Sequence, residues 1–352
     1  MTTLNPAQIK QHDSEDMLEL LSSFSGQCKH GWEIGEALKL EGYDNQIPNN
    51  LVIAGMGGSG IGGDLVKAVV GGQVPCPIIV HRGYTLPAFV TSQTLFIAVS
   101  YSGNTEETLL SVEQAFAQGA NILVVTSGGK LKAFADTHSL PCVMIPPGQP
   151  PRASLGYLLM PILSVFAGLG FDPHLDLRSD LEEAVALLAK LEEDFQRDVP
   201  ENQPKQLAQA LYGKLPIIYA PQELEAIAMR WKGQMNENGK SLAYYSVYPE
   251  MNHNEIEGWK HPSTLTQQCH VIQLRDLIAP SQTQRRMDIT AKLIQPHTGG
   301  ITQVDSVGSS LLARLLSLVA IGDWASFYLA ILYEQNPTPV RRIEELKRRL
   351  EA

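Results

Sequence analysis

The sequence predicts an α/β protein with two parallel sheets, each flanked by helices in a doubly wound, flavodoxin-like arrangement. Three observations lead there. Apolar runs of strand length recur along the chain, separated by helix-length segments. The alternation occurs twice, before and after a polar stretch at 198–205 that carries Pro200 and Pro204. A chain of 352 residues also exceeds one ordinary core, so two domains are expected, 1–197 and 198–352.

Residues 14–40 place Met17, Leu18, Leu20, Leu21 and Phe24 at helical spacing and predict a helix. Apolar runs at 51–54, 78–80, 95–99, 122–125 and 142–145 read as buried strands, with crossover helices at 67–70, 106–118 and 130–137. An apolar helix follows over 152–168 and a long charged one over 177–197. Beyond the linker at 198–205, strands are expected at 216–220, 244–248, 270–274 and 300–304. Helices are expected at 224–233 and 281–293. Residues 311–333 are the most apolar of all, yet Arg314 and Asp323 interrupt them. A buried helix at a domain or subunit interface fits that pattern better than a membrane span. A basic helix over 340–350 closes the chain.

Composition narrows the function. A hydrophobic fraction of 44% is enough for large cores, and a net charge of −10 argues against a nucleic-acid partner. Cys28, Cys76, Cys142 and Cys269 are far apart and form no C-x-x-C pair, so buried thiols are expected, without disulfides or a zinc site. Residues 1–16 lack the apolar core of a signal peptide, which points to the cytoplasm and to no membrane partner.

Two turns carry most of the chemistry. G-M-G-G-S-G at 55–60 follows the first apolar run, and S-Y-S-G-N-T at 100–105 follows the third. Both lead from a strand into a helix, so both aim backbone N–H groups at the carboxyl edge of a sheet, where a helix dipole favours an anion. Ser59, Ser100, Ser102 and Thr105 add hydroxyl donors without charge. The pair reads as a socket for one phosphate group. The first turn also fits G-x-G-x-x-G through Gly55, Gly57 and Gly60, the dinucleotide fingerprint. That motif wants an acidic residue about 20 positions on, where this chain has His81 and Arg82. Arg82 would suit a 2′-phosphate, so an NADP-dependent oxidoreductase is one alternative. No G-K-[ST] follows, which rules out a Walker loop. A third reading of the first turn is tight strand–helix packing alone.

The two turns together, G-M-G-G-S-G-I-G-G-D and S-Y-S-G-N-T-E-E-T, resemble the sugar-isomerase (SIS) domain. More narrowly they resemble the bifunctional phosphoglucose/phosphomannose isomerases, from about residue 30 to the C-terminal helix. The resemblance implies that Ser59, Ser100, Ser102 and Thr105 bind a sugar 6-phosphate, with Gly57 and Gly58 lining the site. It also implies a role in glycolysis and gluconeogenesis.

Aldose–ketose isomerisation moves a proton between C1 and C2 through a cis-enediolate, which requires a base, an oxyanion stabiliser and a ring opener. E-N-G-K at 237–240 resembles the E-S-N-G-K segment of phosphoglucose isomerases, with Asn238 replacing serine, and the resemblance makes Glu237 the base. A solvated carboxylate in a polar turn is the plainer alternative. His253, in E-M-N-H-N-E, corresponds to a ring-opening histidine donated by the neighbouring subunit, and an imidazole exchanges protons near neutrality. His253, Glu255 and His261 also admit a metal reading, although their spacing is poor for zinc. Arg152 in P-P-R-A-S-L matches the arginine that stabilises the enediolate. Its alternative is a surface arginine at a helix N-terminus, mildly opposed by the dipole. Lys347 resembles a C-terminal lysine that acts near the ring oxygen, but E-E-L-K-R-R is equally an ordinary solvated helix face. Thr338, in N-P-T-P, is placed at the sugar's C2 end.

The expectation is a homodimer with a shared active site between the two subdomains, needing no metal or organic cofactor. It would convert glucose 6-phosphate, and mannose 6-phosphate, to fructose 6-phosphate. The rivals are an SIS-domain isomerase of another sugar phosphate and a non-catalytic sugar-phosphate-binding regulator.

Overall fold

The computed structural model describes residues 4–38, 47–169 and 176–350. In chain order they form α1 (Pro6–His12), α2 (Met17–Ser22), α3 (Phe24–Glu36), β1 (Asn50–Ala54), α4 (Gly57–Val70), β2 (Ile78–His81), β3 (Thr94–Ser100), α5 (Glu106–Ala117), β4 (Asn121–Thr126), α6 (Gly129–Thr137) and β5 (Cys142–Met144). A 3-10 turn at Pro151–Ala153 leads into α7 (Leu155–Leu169) and α8 (Leu177–Gln196). The remainder is α9 (Gln203–Leu211), β6 (Leu215–Pro221), α10 (Glu225–Glu237), β7 (Tyr244–Tyr248), α11 (Ser263–Thr266), β8 (Cys269–Arg275), α12 (Ser281–Ile294), β9 (Ile301–Asp305), α13 (Leu311–Leu332) and α14 (Arg341–Leu350).

Two compact units result. The first comprises Ser23–Ala189 with Gly308–Leu316, and the remaining segments form the second. The helices α1 and α2 therefore group with the C-terminal half, whereas the sequence assigned residues 1–22 to the N-terminal one.

In the first unit five parallel strands run in the order β2-β1-β3-β4-β5. Val52, Phe96 and Val124 lie on one face, fully buried against Val112 and Ala115 of α5 and Leu131 and Ala135 of α6. The other face meets α4 at Gly63, where a Cβ would come within 2.8 Å of Ile53 Cγ2. This explains the largest departure from the sequence reading. The seven residues G-G-S-G-I-G-G have low helix propensity, yet they form the first half of α4, not the loop ahead of a helix at 67–70. Gly62 and Gly58 bring the helix against the backbones of Leu158 and Pro151, so close packing supplies what propensity withholds. Chain order reverses between β1 and β3, and the two hydroxyl- and glycine-rich turns leave the sheet there. Such a switch point at the carboxyl ends of parallel strands is where doubly wound folds bind ligands.

In the second unit four parallel strands run β7-β6-β8-β9, switching between β6 and β8. Tyr219, Tyr248, Val271 and Met287 centre one core cluster. The helix read over 14–40 breaks at Ser23 into α2 and α3, and residues 39–40 lie outside the described residues. The linker is shorter than expected. The Asn202 side chain accepts from Lys205 N and caps α9, placing Pro204 in the first turn where a missing N–H costs nothing. Lys205 is itself buried and pairs with Asp198 at 2.9 Å.

Among the described residues α13 alone is long and apolar enough to cross a membrane, and its apolar stretch is buried in the fold. Its Asp323 is neutralised by Arg230.

Candidate active site

The two turns of the first unit meet. The backbone N–H of Tyr101 donates to Ser59 Oγ at 3.3 Å. Inside the second turn Ser100 Oγ and Thr105 Oγ1 share a hydrogen bond of 2.9 Å, and Gly103 N donates to Ser100 Oγ at 3.1 Å. Asn104 N donates to Ser102 Oγ at 3.3 Å. Thr105 is the N-cap of α5 but makes no side-chain capping bond, its hydroxyl being committed to Ser100. Ser59 and Ser100 are buried, Thr105 is half-buried and Ser102 is exposed, so the hydroxyls are graded from the floor of the turn to its rim. Gly57 opens α4 with φ of +49°, and Gly103 holds +68° with a would-be Cβ at 1.8 Å from the Gly128 carbonyl oxygen. No larger residue fits there.

Arg152 is buried in the 3-10 turn, which corrects the surface alternative. Its backbone abuts Gly58, since a Cβ there would lie 2.8 Å from Pro151 O and 3.4 Å from Arg152 N. Tyr101, for which sequence reasoning found no role, ties the two parts together. Its hydroxyl donates to Pro146 O at 2.9 Å and accepts from Gln149 N at 3.0 Å, fixing the segment that leads into Arg152. Gln27 Nε2 holds the other side of the turn through Ala153 O at 2.9 Å. Arg82 pairs with Asp64 of α4 and packs on Gly60, a structural duty that weakens the dinucleotide alternative.

In the second unit Glu237 is the last residue of α10 and half-buried. Its helix is anchored by a buried network invisible in the sequence. Arg230 Nε donates to Asp323 Oδ1 at 3.1 Å and its Nη2 to Oδ2 at 2.5 Å, while Gln234 Nε2 donates to Oδ1 at 2.8 Å. Burial raises the Asp323 carboxyl above the ordinary aspartate range, and the Arg230 guanidinium opposes that shift. Asn238, the next residue, is fully buried and donates to Ser326 Oγ at 3.2 Å. Lys240 Nζ reaches the carbonyls of Glu237, Pro337 and Pro339, so the segment holding Thr338 lies against the E-N-G-K turn.

His253 is exposed at the end of a 3-10 turn, Glu250–His253. Neighbouring residues hold that turn from beneath. Tyr219 donates to Glu255 at 2.5 Å and accepts from Trp259 Nε1 at 2.8 Å, and Asn252 Nδ2 donates to Thr290 Oγ1 at 2.9 Å. Burial and the Glu255 carboxylate push the Tyr219 phenol well above its ordinary range, so it stays a donor. Glu255 is thereby committed, and among the described residues no group of three or more His, Cys, Asp or Glu is arranged to hold a metal. Lys347 lies on exposed α14, and among the described residues no hydrogen bond or ion pair joins it or His253 to the other candidate side chains.

The structure thus gathers Gly57, Gly58, Ser59, Ser100, Ser102, Thr105 and the Arg152 turn in one unit. It gathers Glu237, Lys240 and the Thr338 segment in the other. Residues 200–350 match the family model described as the bacterial phospho-glucose isomerase C-terminal SIS domain. The fold as a whole is similar to the C-terminal domain of glucosamine-fructose-6-phosphate aminotransferase from Francisella tularensis, with a TM-score of 0.72 and 14% identity over 92% of this chain and 98% of that one. A bifunctional phosphoglucose/phosphomannose isomerase of Caldicellulosiruptor bescii is 43% identical over 95% of this chain and 98% of its own length. The Aquifex aeolicus protein of the same name is 37% identical over 88% and 97%. The chain belongs to the bifunctional phosphoglucose/phosphomannose isomerase family.

Proposed function

We propose that this protein is an aldose–ketose isomerase that interconverts glucose 6-phosphate, and mannose 6-phosphate, with fructose 6-phosphate through a cis-enediolate. The observation that carries the reading is the joined pair of turns at the β1/β3 switch point, in a chain 43% identical to a relative of that name. Ser59, Ser100, Ser102 and Thr105 hold the 6-phosphate, with Gly57 and Gly58 keeping the backbone close. Glu237 carries the proton between C2 and C1. Arg152 faces the enediolate oxygen, where a fixed guanidinium acts on charge that develops only in the transition state.

His253 opens the pyranose ring, assisted by Lys347, and is supplied by the partner subunit of a homodimer. Its exposure supports that assignment, as does the apolar stripe Ile343, Leu346 and Leu350 on α14, exposed at 41%, 58% and 74%. Glucose and mannose differ only at C2, which is planar in the enediolate, so one base serves both. Side chains handle both the proton and the charge, and no metal or organic cofactor enters. The free thiols of all four cysteines suit the cytoplasm, and the net charge of −10 suits a small-molecule substrate better than nucleic acid.

A coupled assay on glucose 6-phosphate, mannose 6-phosphate and glucosamine 6-phosphate, with chelator present, tests the reading. Turnover of the first two, unaffected by chelator, is expected. Turnover of the amino sugar alone, binding without turnover, or activity lost to EDTA and restored by zinc would each overturn it.

A further inference from the structure

Lys240 closes the E-N-G-K turn with φ of +53°, a left-handed conformation that a lysine enters only at a cost. Its side chain offsets that cost. Nζ donates to Glu237 O at 2.5 Å, Pro337 O at 2.9 Å and Pro339 O at 2.6 Å. An ammonium has three donors, and three carbonyls occupy them. The acceptors are not ordinary loop atoms. Glu237 carries the carboxyl assigned as base, and the two prolines bracket Thr338 in a segment stiffened by fixed proline φ. Asn336 anchors that segment from its other end, accepting from Thr338 N at 3.0 Å and donating to Ser14 and Glu15 at 2.9 Å each. The helix that ends at Glu237 is itself fixed by the bonds of Arg230 and Gln234 to Asp323.

We propose that Lys240 is a positioning residue that locks the base to the 337–339 segment, so that Glu237 and the C2 wall beside it keep one fixed spacing. The inference rests on the reading of Glu237 as base. Charge-assisted bonds to three carbonyls make a stiff tie, and an ammonium presents its donors tetrahedrally where a guanidinium offers a planar fork. Lysine and arginine are therefore not equivalent at this position.

The test is steady-state kinetics on both aldose 6-phosphates with wild type, Lys240→Met and Lys240→Arg, beside thermal melts. A displacement near 1 Å costs about 100-fold. Lys240→Met should therefore lose about 10–100-fold in kcat, with KM changed less than about two-fold because the phosphate turns are untouched. The mannose-to-glucose ratio of kcat/KM should shift as the base and its neighbouring wall separate. Lys240→Arg should fold, lose kcat less severely than Lys240→Met, and show the same shift in ratio. It keeps the inference testable if Lys240→Met does not fold. Wild-type kcat and an unchanged aldose ratio in folded Lys240→Arg would overturn the inference, as would a loss confined to KM in either variant. A wild-type enzyme inactive on both aldoses would instead remove the functional reading beneath it.

Discussion

Replacing Gly58 with alanine probes the closest approach between the phosphate-type turn and the Arg152 turn. The new Cβ would sit 2.8 Å from Pro151 O and 3.1 Å from Pro151 C, while ordinary van der Waals contact begins at 3.4 Å. The backbones must part by about 0.6 Å, and no flexible side chain is there to yield. Overpacking of this kind costs about 1–3 kcal/mol, which at about 2–4 °C per kcal/mol lowers the melting temperature by roughly 2–12 °C. Catalysis should suffer as well, because the retreat moves Arg152 relative to the phosphate. Scaling from about 100-fold for 1 Å gives a loss of roughly 10–30-fold in kcat/KM for both aldoses. Gly26→Ala is the control. That exposed glycine of α3 has nothing within 4 Å of a new Cβ, so activity is kept and the helix gains up to about 1 kcal/mol. Gly58→Ala with wild-type kcat/KM and melting temperature would refute the packing argument.

Thr105→Val and Ser102→Ala should raise KM for every substrate alike, about ten-fold for Thr105→Val, because phosphate contacts exist in ground and transition states together. Altered NADP binding with unchanged sugar-phosphate kinetics would contradict this. Asp323→Asn leaves the Arg230 guanidinium buried without its counter-charge, so about 3–5 kcal/mol of stability should be lost in denaturant titration, and a loss below about 1 kcal/mol would count against the network. Burial lowers the His270 imidazole below its ordinary 6.5. The unfolded chain then binds a proton that the folded chain refuses, and stability falls as pH drops below 6.5. His270→Asn should shrink the difference in unfolding free energy between about pH 7.5 and 5.5. A difference equal to that of wild type would argue against it.

The strands were legible because each is a short apolar run bounded by turn residues. Residues 244–248 coincide with β7, and 216–220 fall one short at each end of β6. What escaped has identifiable causes. The first half of α4 was hidden because glycine opposes helix locally, and only the backbones of Pro151 and Leu158 make it favourable. The start of α9 was hidden because Pro200 and Pro204 read as linker, although proline suits a first helical turn. The site shows the same division. Ser59, Ser100, Ser102 and Thr105 stood out because glycine and hydroxyl residues cluster immediately after strands. The roles of Lys240, Asp323 and Tyr101 had no local signal, since their partners lie dozens of residues away. Lys240 meets Pro337 and Pro339 at separations of 97 and 99 residues, and Arg230 meets Asp323 at 93. The Arg152 turn likewise packs against Gly58, nearly a hundred residues earlier.

Glu237 is the group proposed to move the proton, and isotope incorporation addresses that step alone. Fructose 6-phosphate converted in D₂O by the wild type should give aldose 6-phosphate carrying deuterium at C2. Glu237→Gln keeps the shape of the side chain and removes its basicity, so sugar-phosphate binding should persist while deuterium incorporation falls about 10²–10⁴-fold. Incorporation at the wild-type rate in Glu237→Gln would exclude Glu237 and transfer the base to another carboxylate, with Glu250 the first to test, since Glu255 is held by Tyr219.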